Sequence, residues 1–178
     1  SSSVKTIEKY AFSGCSRLKT IALPSGLTKL GSGAFYDCSA LTSVNIPSGI
    51  KVIEESTFYD CSSLSSISLP ASITSIGNYA FHGCGRLTSI TLPSKVRNIG
   101  EGAFSWCSGL VFIIIPNCVT FIGNQAFQGC SGLASVIIGD VVTKIGMEAF
   151  LECTKLTNLT IGNGVTTIYS RAFANCPE

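Results

Sequence analysis

Apolar and polar positions along this chain recur every 23 residues, without insertion or deletion. Phenylalanine and cysteine mark the interval most clearly, because each occurs in phase eight times. The phenylalanines are Phe12, Phe35, Phe58, Phe81, Phe104, Phe127, Phe150 and Phe173, and the cysteines are Cys15, Cys38, Cys61, Cys84, Cys107, Cys130, Cys153 and Cys176. An interval of this length indicates a solenoid with one structural unit per repeat. We expect both series to form ladders in its core.

Residues 76–96 show what one repeat contains. Ser89–Leu92 alternates polar and apolar residues, which predicts a strand, and the proline that follows ends it. Stacked repeats would pair these strands into a parallel sheet. A second apolar pair, Val96 and Ile99, predicts a short extended segment on the opposite side. The segment around Ala80 and Phe81 predicts a helical turn that depends on tertiary packing.

The whole chain, residues 1–178, is therefore predicted to be one mostly β, α/β-type repeat solenoid of about eight turns. A parallel sheet covers one face, and short extended segments and helical turns cover the others. Hydrophobic residues make up 46% of the chain and charged residues 12%, which fits a core repeated in every turn. Neither end carries a polar capping unit, so we expect a fragment of a longer protein.

The eight in-phase cysteines are predicted to be free, buried thiols. Equivalent residues in adjacent turns lie about 4.8 Å apart with parallel Cα–Cβ vectors, whereas the Cβ atoms of a disulfide lie about 3.5–4.5 Å apart. Cys118 falls outside this series. The residues at equivalent positions of the other repeats predict a turn near the surface. Cys118 is either a neutral substitution or an exposed thiol able to link chains.

Charge and hydropathy exclude several classes of partner. The net charge is +2 with lysine and arginine scattered, so no basic stripe for nucleic acid is expected. The longest clear apolar run, Leu110–Ile115, is far too short for a membrane span. The cysteine column spreads along an axis rather than converging on one point, so we expect no metal. No motif predicts a cofactor.

Candidate catalytic groups are few. His82 is the one histidine, and no nucleophile motif accompanies it. Asp37 and Asp60 are stacked equivalents about 5 Å apart, a separation that retaining glycosidases use, but their column is a ridge rather than a cleft. We therefore expect a protein that is not an enzyme.

The outward positions of the predicted sheet carry mainly serine, threonine and asparagine. The fifth and sixth repeats differ, because Phe112, Ile114 and Ile137 occupy these positions with Val111 beside them. An apolar cluster on a hydroxyl-rich face is typical of an interaction site, so these four residues are the candidate protein-binding surface. A neighbouring domain, a dimer mate or neutral drift would also account for it.

The repeat pattern L-x-x-I-x-L-P-x-x-V-x-x-I-G-x-x-A-F-x-x-C resembles the BspA-like, Treponema-type leucine-rich repeat. Residues 87–107 spell it without a break, and the resemblance extends from Val4 to Cys176. It implies a right-handed leucine-rich-repeat solenoid. It also implies an extracellular or cell-surface protein that adheres to host matrix proteins, serum proteins or cells. The family has no catalytic motif to transfer.

These observations favour a non-enzymatic module for protein–protein interaction. The alternative is a structural spacer or stalk that presents another domain and binds nothing itself. End-to-end self-association is a further expectation, since uncapped terminal turns would expose core residues and strand edges.

Overall fold

The structure, a computed structural model, describes residues 3–177 as a parallel β-solenoid of about seven turns. The expected number of about eight turns is too high, because eight phenylalanines mark only seven complete intervals. The strands in chain order are β1 (Thr6–Ile7), β2 (Thr20–Ile21), β3 (Lys29–Leu30), β4 (Ser43–Asn45), β5 (Val52–Ile53), β6 (Ser66–Ser68), β7 (Ser75–Ile76), β8 (Asn98–Ile99), β9 (Phe112–Ile115), β10 (Phe121–Ile122), β11 (Ser135–Ile138), β12 (Lys144–Ile145), β13 (Asn158–Thr160) and β14 (Thr167–Ile168).

The predicted strand column forms what we call the front sheet: β2, β4, β6, β9, β11 and β13. All of its pairings are parallel and in the register of the repeat, so Val44 faces Ile67 and Val136 faces Ile113. Residues along a strand alternate between the core and the solvent, as the period of two requires.

The front sheet is interrupted in the fourth repeat. It consists of two three-stranded sheets, β2-β4-β6 and β9-β11-β13, with residues 88–92 between them. The prediction of a strand at Ser89–Leu92 is wrong, because the backbone there forms no ladder with β6 or β9. One bond, from Val111 N to Thr88 O at 3.1 Å, remains at its start. Ile90 and Leu92 are still buried, so the segment keeps its core packing without strand pairing.

The second extended column forms the rear sheet, which contains the remaining eight strands. β1 pairs with β3, and β5, β7, β8, β10, β12 and β14 pair in order as a six-stranded parallel sheet. Each strand has only two residues, of which the second is buried in every strand except β14, where Ile168 is exposed. The short extended segments expected from the sequence therefore become a sheet of their own.

The segments around the phenylalanines contain no helix among the described residues, so the predicted helical turns are wrong. Backbone donors there alternate between two kinds of acceptor. Phe35 N donates to Thr57 O of the next repeat at 2.9 Å, whereas Cys38 N donates to Phe35 O in its own turn at 3.2 Å. An α-helix needs every donor to reach four residues back. Here every second donor joins neighbouring turns instead.

A backbone feature explains why helix is impossible in these segments. In every repeat, the residues two before and two after the phenylalanine have positive φ, as at Gly102 (57°) and Trp106 (61°) around Phe104. This left-handed conformation is disfavoured for residues with a Cβ, yet eleven of the sixteen positions carry side chains. The inter-turn hydrogen bonds and the core packing offset that strain.

The phenylalanines form one continuous stack through the core. Adjacent rings are nearly parallel, with centroids 5.1 Å apart for Phe127 and Phe150 and 5.5 Å apart for Phe35 and Phe58. Six of the rings are fully buried, whereas Phe12 and Phe173 are only half-buried, because each has a phenylalanine neighbour on one side within the described chain.

Seven of the eight in-phase cysteines, all except Cys15, donate a hydrogen bond to the preceding repeat. The Cys107 Sγ lies 3.1 Å from the Phe81 carbonyl oxygen, and the same contact links Cys130 to Phe104 at 3.1 Å. That oxygen already accepts the backbone N–H of the cysteine in its own turn, so the thiol satisfies a second lone pair. The sequence predicted small hydrophobes here, and the donor role adds a reason for cysteine rather than alanine.

All nine cysteines are free. Six in the ladder are buried: Cys38, Cys61, Cys84, Cys107, Cys130 and Cys153. The expectation of burial is wrong for Cys15, which is exposed, because no described repeat stacks on its N-terminal side. Cys176, at the other end of the ladder, is half-buried.

The buried thiols should resist modification while the protein is folded. Burial raises the pKa of Cys38 to about 11 and that of Cys61 to about 12, so almost no thiolate is present at pH 8. With a disulfide reagent at pH 8, we expect Cys15 and Cys118 to react at least roughly a hundredfold faster than the buried six. Adding denaturant should release all nine. Rapid reaction of more than three thiols in the folded protein would contradict the ladder.

A pair of glycine variants tests the positive-φ turns. Gly102 has a φ of 57°, and a Cβ added there would overlap the Tyr79 ring. Gly102→Ala should therefore lower the free energy of unfolding by about 1–3 kcal/mol in urea titration. Gly85→Ala is the control, because its Cβ would meet nothing closer than Ser108 Oγ at 3.4 Å. Equal destabilisation by both variants would show that the turn conformation is not the cause.

Candidate protein-binding surface

The four residues singled out from the sequence lie together on the front sheet. Val111, Phe112, Ile114 and Ile137 are exposed by 49%, 47%, 53% and 43%, respectively. In the register of β9 and β11, Ile114 faces Ile137 directly, and Phe112 faces Ser135. Paired residues on adjacent strands are about 4.8 Å apart. These residues thus form one continuous surface, which we call the apolar patch.

The inward residues of the same strands hold the patch in place. Ile113, Ile115, Val136 and Ile138 are buried, so β9 is apolar on both faces and Ser135 is the one polar residue of β11. They are also the longest strands of the solenoid, with four residues each. The patch therefore rests on well-packed strands, of which β11 is paired on both sides and β9 on one.

A groove borders the patch where the front sheet is interrupted. It has a volume of about 220 Å³ and lies between the fourth and fifth repeats, lined by Ile90, Thr91, Leu92, Ser94, Phe112, Ile114 and Pro116. The groove exists because residues 88–92 do not pair with β9. It gives the patch a concave edge into which a partner's side chain could insert.

Val111 shares a column with two residues that make an inter-turn side-chain hydrogen bond. At equivalent positions, the hydroxyls of Thr42 and Ser65 donate to the backbone oxygen of the preceding repeat, at 3.1 and 3.3 Å. Valine has no such donor, so this repeat gives up a hydrogen bond and exposes apolar surface instead.

The N-terminal half of the front sheet has a different character. Ser43, Asn45, Ser66 and Ser68 are exposed there, so its outward rows are polar. A second groove of about 360 Å³ follows β6, and serine side chains make up much of its lining. The apolar character is confined to the C-terminal three-stranded sheet.

Sequence reasoning missed an apolar cluster on the rear sheet. Met147 and Tyr169 are exposed by 49% and 42%, and with half-buried Phe121 they line an open depression of about 610 Å³. The available signal was Tyr169, which stands in a column otherwise filled mainly by glycine. Trp106, another departure in the fifth repeat, is exposed and lies across Gly129.

Cys118 is exposed in the turn between β9 and β10. It lines a shallow depression together with Lys95 and Arg97, away from the apolar patch. Cys118 thus belongs neither to the cysteine ladder nor to the apolar patch.

The candidate catalytic residues lie in a row of stacked rings. The centroids of Tyr36 and Tyr59 are 4.6 Å apart, and those of Tyr59 and His82 are 4.4 Å apart. His82 Nδ1 lies 2.6 Å from Ser105 Oγ, whose own proton goes to Gly102 O. His82 must therefore donate its Nδ1 proton to Ser105. This serine is buried and already bonded, so the pair is structural in character.

Asp37 and Asp60 are exposed beside this row. Across residues 3–177, no group of three or more histidine, cysteine or acidic side chains is placed to hold a metal ion. Within the same residues, no helix has the length and apolar character of a membrane span.

The repeat pattern matches a known protein family. The profile described as the BspA type leucine rich repeat region matches residues 1–111 and 74–178, in six copies. No curated protein matches the chain.

Solved structures of bacterial leucine-rich repeat proteins are similar to this chain. One from Bacteroides ovatus has 35% identity over 97% of the chain, with a TM-score of 0.94. The Treponema pallidum leucine-rich repeat protein has 34% identity over 86%, with a TM-score of 0.79. A leucine-rich cell surface protein from Faecalibacterium prausnitzii has 31% identity over 90%, with a TM-score of 0.70. The chain spans 45%, 72% and 52% of these three proteins, respectively.

The environment of His82 predicts how stability depends on pH. Burial lowers the pKa of His82 below its ordinary value, and the nearby Asp60 carboxylate opposes this shift only in part. Between the two pKa values the unfolded chain binds more protons, so stability should fall as the pH drops below about 6.5. Urea midpoints at pH 7.5 and 5.5 measure the effect. His82→Phe preserves the ring stack and should reduce the difference between the two pH values. An unchanged difference would assign the effect to other groups.

Proposed function

Because this chain belongs to the BspA-type leucine-rich repeat family, we propose that it is a protein-binding module of a surface or secreted protein. Its targets are host matrix proteins, serum proteins or proteins on other cells. The apolar patch of Val111, Phe112, Ile114 and Ile137 is the proposed binding site. The observation that carries this proposal is the exposure of four large apolar side chains on a sheet whose other outward positions are mostly polar.

The patch has the properties of an interface centre. Its side chains contribute little to folding because they are exposed, whereas burial against a partner would stabilise the complex by roughly 1–2 kcal/mol for each large residue. Phe112 is flanked by the groove at the interruption of the sheet, which supplies shape for an anchoring side chain. Serine and threonine around the patch supply a polar rim.

Two observations support a surface location and a role without catalysis. One similar protein is described as a cell surface protein. The ring row that contains His82 has its hydrogen bonds directed to structural partners, and Asp37 and Asp60 lie on an exposed ridge. We therefore propose recognition rather than turnover.

A stalk that only presents another domain is the rival function. The uninterrupted phenylalanine stack and the repeated inter-turn hydrogen bonds make a rigid rod, which favours that use. A stalk needs no exposed apolar patch, however, and this difference allows the two functions to be separated.

Substitutions in the patch should weaken binding without loss of stability. Phe112→Ser/Ile114→Ser should weaken binding to a panel of immobilised matrix and serum proteins at least about tenfold. Val111→Thr should also weaken it while leaving stability unchanged or slightly raised, because the new hydroxyl can donate to Thr88 O.

The control removes similar apolar surface elsewhere. Val141→Ser/Met147→Ser changes two side chains that are exposed by 47% and 49% outside the patch. Binding kept by this control and lost in the patch variants is the expected result. Equal binding by all variants would place the site elsewhere, and no binding even by the unaltered chain would favour the stalk.

A further inference from the structure

Stacking of the turns gathers cations that are scattered along the sequence. Lys51 and Arg97 occupy one outward column of the rear sheet, two turns apart, with Thr74 between them. The column is hydrogen-bonded through its backbone, from Thr74 N to Lys51 O at 2.8 Å and from Arg97 N to Thr74 O at 2.9 Å. Lys95 lies beside Arg97, and all three cations are exposed.

All three cations lack a carboxylate partner within ion-pair distance among the described residues. In the described part of the chain, the ion pairs are Lys29 with Glu8 and Arg171 with Glu148, so neither Lys95 nor Arg97 is neutralised. Acidic residues follow the rear strands β5 and β8 along the chain. Among them, Glu101 accepts a hydrogen bond from the Tyr79 hydroxyl, and Glu54 lines a separate groove with Lys29 and Lys51.

Lys95 and Arg97 border a concave surface. The depression has a volume of about 590 Å³ and is lined by Thr74, Ser75, Lys95, Arg97, Asn98 and Cys118. Its lining contains no acidic side chain, and carbon atoms make up most of its exposed surface. The two cations therefore border a depression that holds no opposing negative charge.

The neutral groups of the depression select the ligand further. Thr74 donates its one hydroxyl proton to Lys51 O at 3.2 Å, so toward solvent its oxygen is an acceptor. Asn98 directs its amide N–H toward Ser75 Oγ at 3.5 Å, which leaves its carbonyl oxygen as an acceptor. A ligand that carries both anionic groups and hydroxyl donors would use the cations and these oxygens together.

We propose that the rear sheet binds a linear sulfated polysaccharide along the solenoid axis, centred on the depression between Thr74 and Cys118. Sulfates contact Lys95 and Arg97, and sugar hydroxyls donate to the Thr74 and Asn98 oxygens. The backbones of Lys51 and Arg97 are two strand spacings apart, or about 9.6 Å. This distance is of the order of the length of one disaccharide. A polymer with one charged group per disaccharide therefore matches the column.

A polysaccharide fits better than other polyanions. Sulfate, carboxylate and phosphate groups are all acceptors only, so donors to the Thr74 and Asn98 oxygens must come from the uncharged part of the ligand. A polysaccharide carries hydroxyl donors on its rings, whereas the sugar–phosphate backbone of duplex DNA and the side chains of an acidic peptide carry none. This site is separate from the apolar patch, which lies on the front sheet, and it does not depend on the function proposed there.

Binding to heparin, a heavily sulfated polysaccharide, tests the proposal. We expect Lys95→Gln/Arg97→Gln to raise the Kd for heparin about tenfold, with a weaker dependence on salt. The matched control is Lys19→Gln/Arg86→Gln, which removes one lysine and one arginine, both exposed, on the front side. We expect this control to change the Kd by less than about twofold. Thr74→Val keeps the side-chain shape and should weaken binding by removing the acceptor.

The outcomes separate the proposal from its rivals. Loss confined to the rear-sheet variant, with no binding of desulfated heparin, would support it. Equal loss in both charge pairs would reveal non-specific attraction and overturn it. Equally tight binding of polyglutamate or duplex DNA would assign the face to an acidic protein or to nucleic acid and also overturn it. Failure of the unaltered chain to bind heparin at low salt would end the proposal.

Discussion

The structure depends on one constraint, the parallel stacking of turns in the register set by the 23-residue repeat. It is imposed where backbone donors of the phenylalanine segments alternate between their own turn and the next, as Phe35 N and Cys38 N do. One misplaced residue would move every donor away from its acceptor, so an insertion cannot be absorbed there. The same register brings each phenylalanine onto the next ring and each thiol onto the carbonyl of the preceding repeat. Hydrogen bonding and core packing are therefore satisfied by the same geometry.

That constraint divides the residues of each repeat into two classes. Inward columns must be nearly uniform, because a side chain at one position packs against its own equivalents above and below. Where an inward residue departs from the pattern it compensates locally, as Thr57 does by donating its hydroxyl to Glu54 O at 2.7 Å. Outward columns carry no such requirement. Phe112 and Ile114 on β9, or Lys95 and Arg97 beside β8, are therefore free to serve recognition without a cost in folding.

The periodicity of the sequence was enough to predict the solenoid, the parallel sheet and the free thiols, since each follows from a repeated position. It was not enough for features that depend on backbone conformation. The helical turns expected around Phe81 are excluded by the positive φ at Tyr79 and Gly83, and residue type alone does not reveal this at a tyrosine. The interruption at Ser89–Leu92 was equally hidden, because that segment has the same alternation as its paired neighbours. Apolar periodicity indicates whether a side chain faces the core or the solvent. It does not indicate whether the backbone forms hydrogen bonds with a neighbouring strand.

The two proposed surfaces differ in how far they could be predicted from the sequence, and the reason is physical. The apolar patch consists of residues close together in sequence and in register, so Ile114 and Ile137 could be placed side by side before the fold was seen. The cationic depression draws on Thr74, Arg97 and Cys118 from three different turns. Its positive charge also depends on the absence of carboxylate partners for Lys95 and Arg97. Only the ion pairs and hydrogen bonds of the structure show this. A solenoid with nearly neutral composition can thus present a cationic face, because each column is exposed independently of its neighbours. Net charge then describes the chain as a whole, and recognition depends on how stacking sorts that charge among the faces.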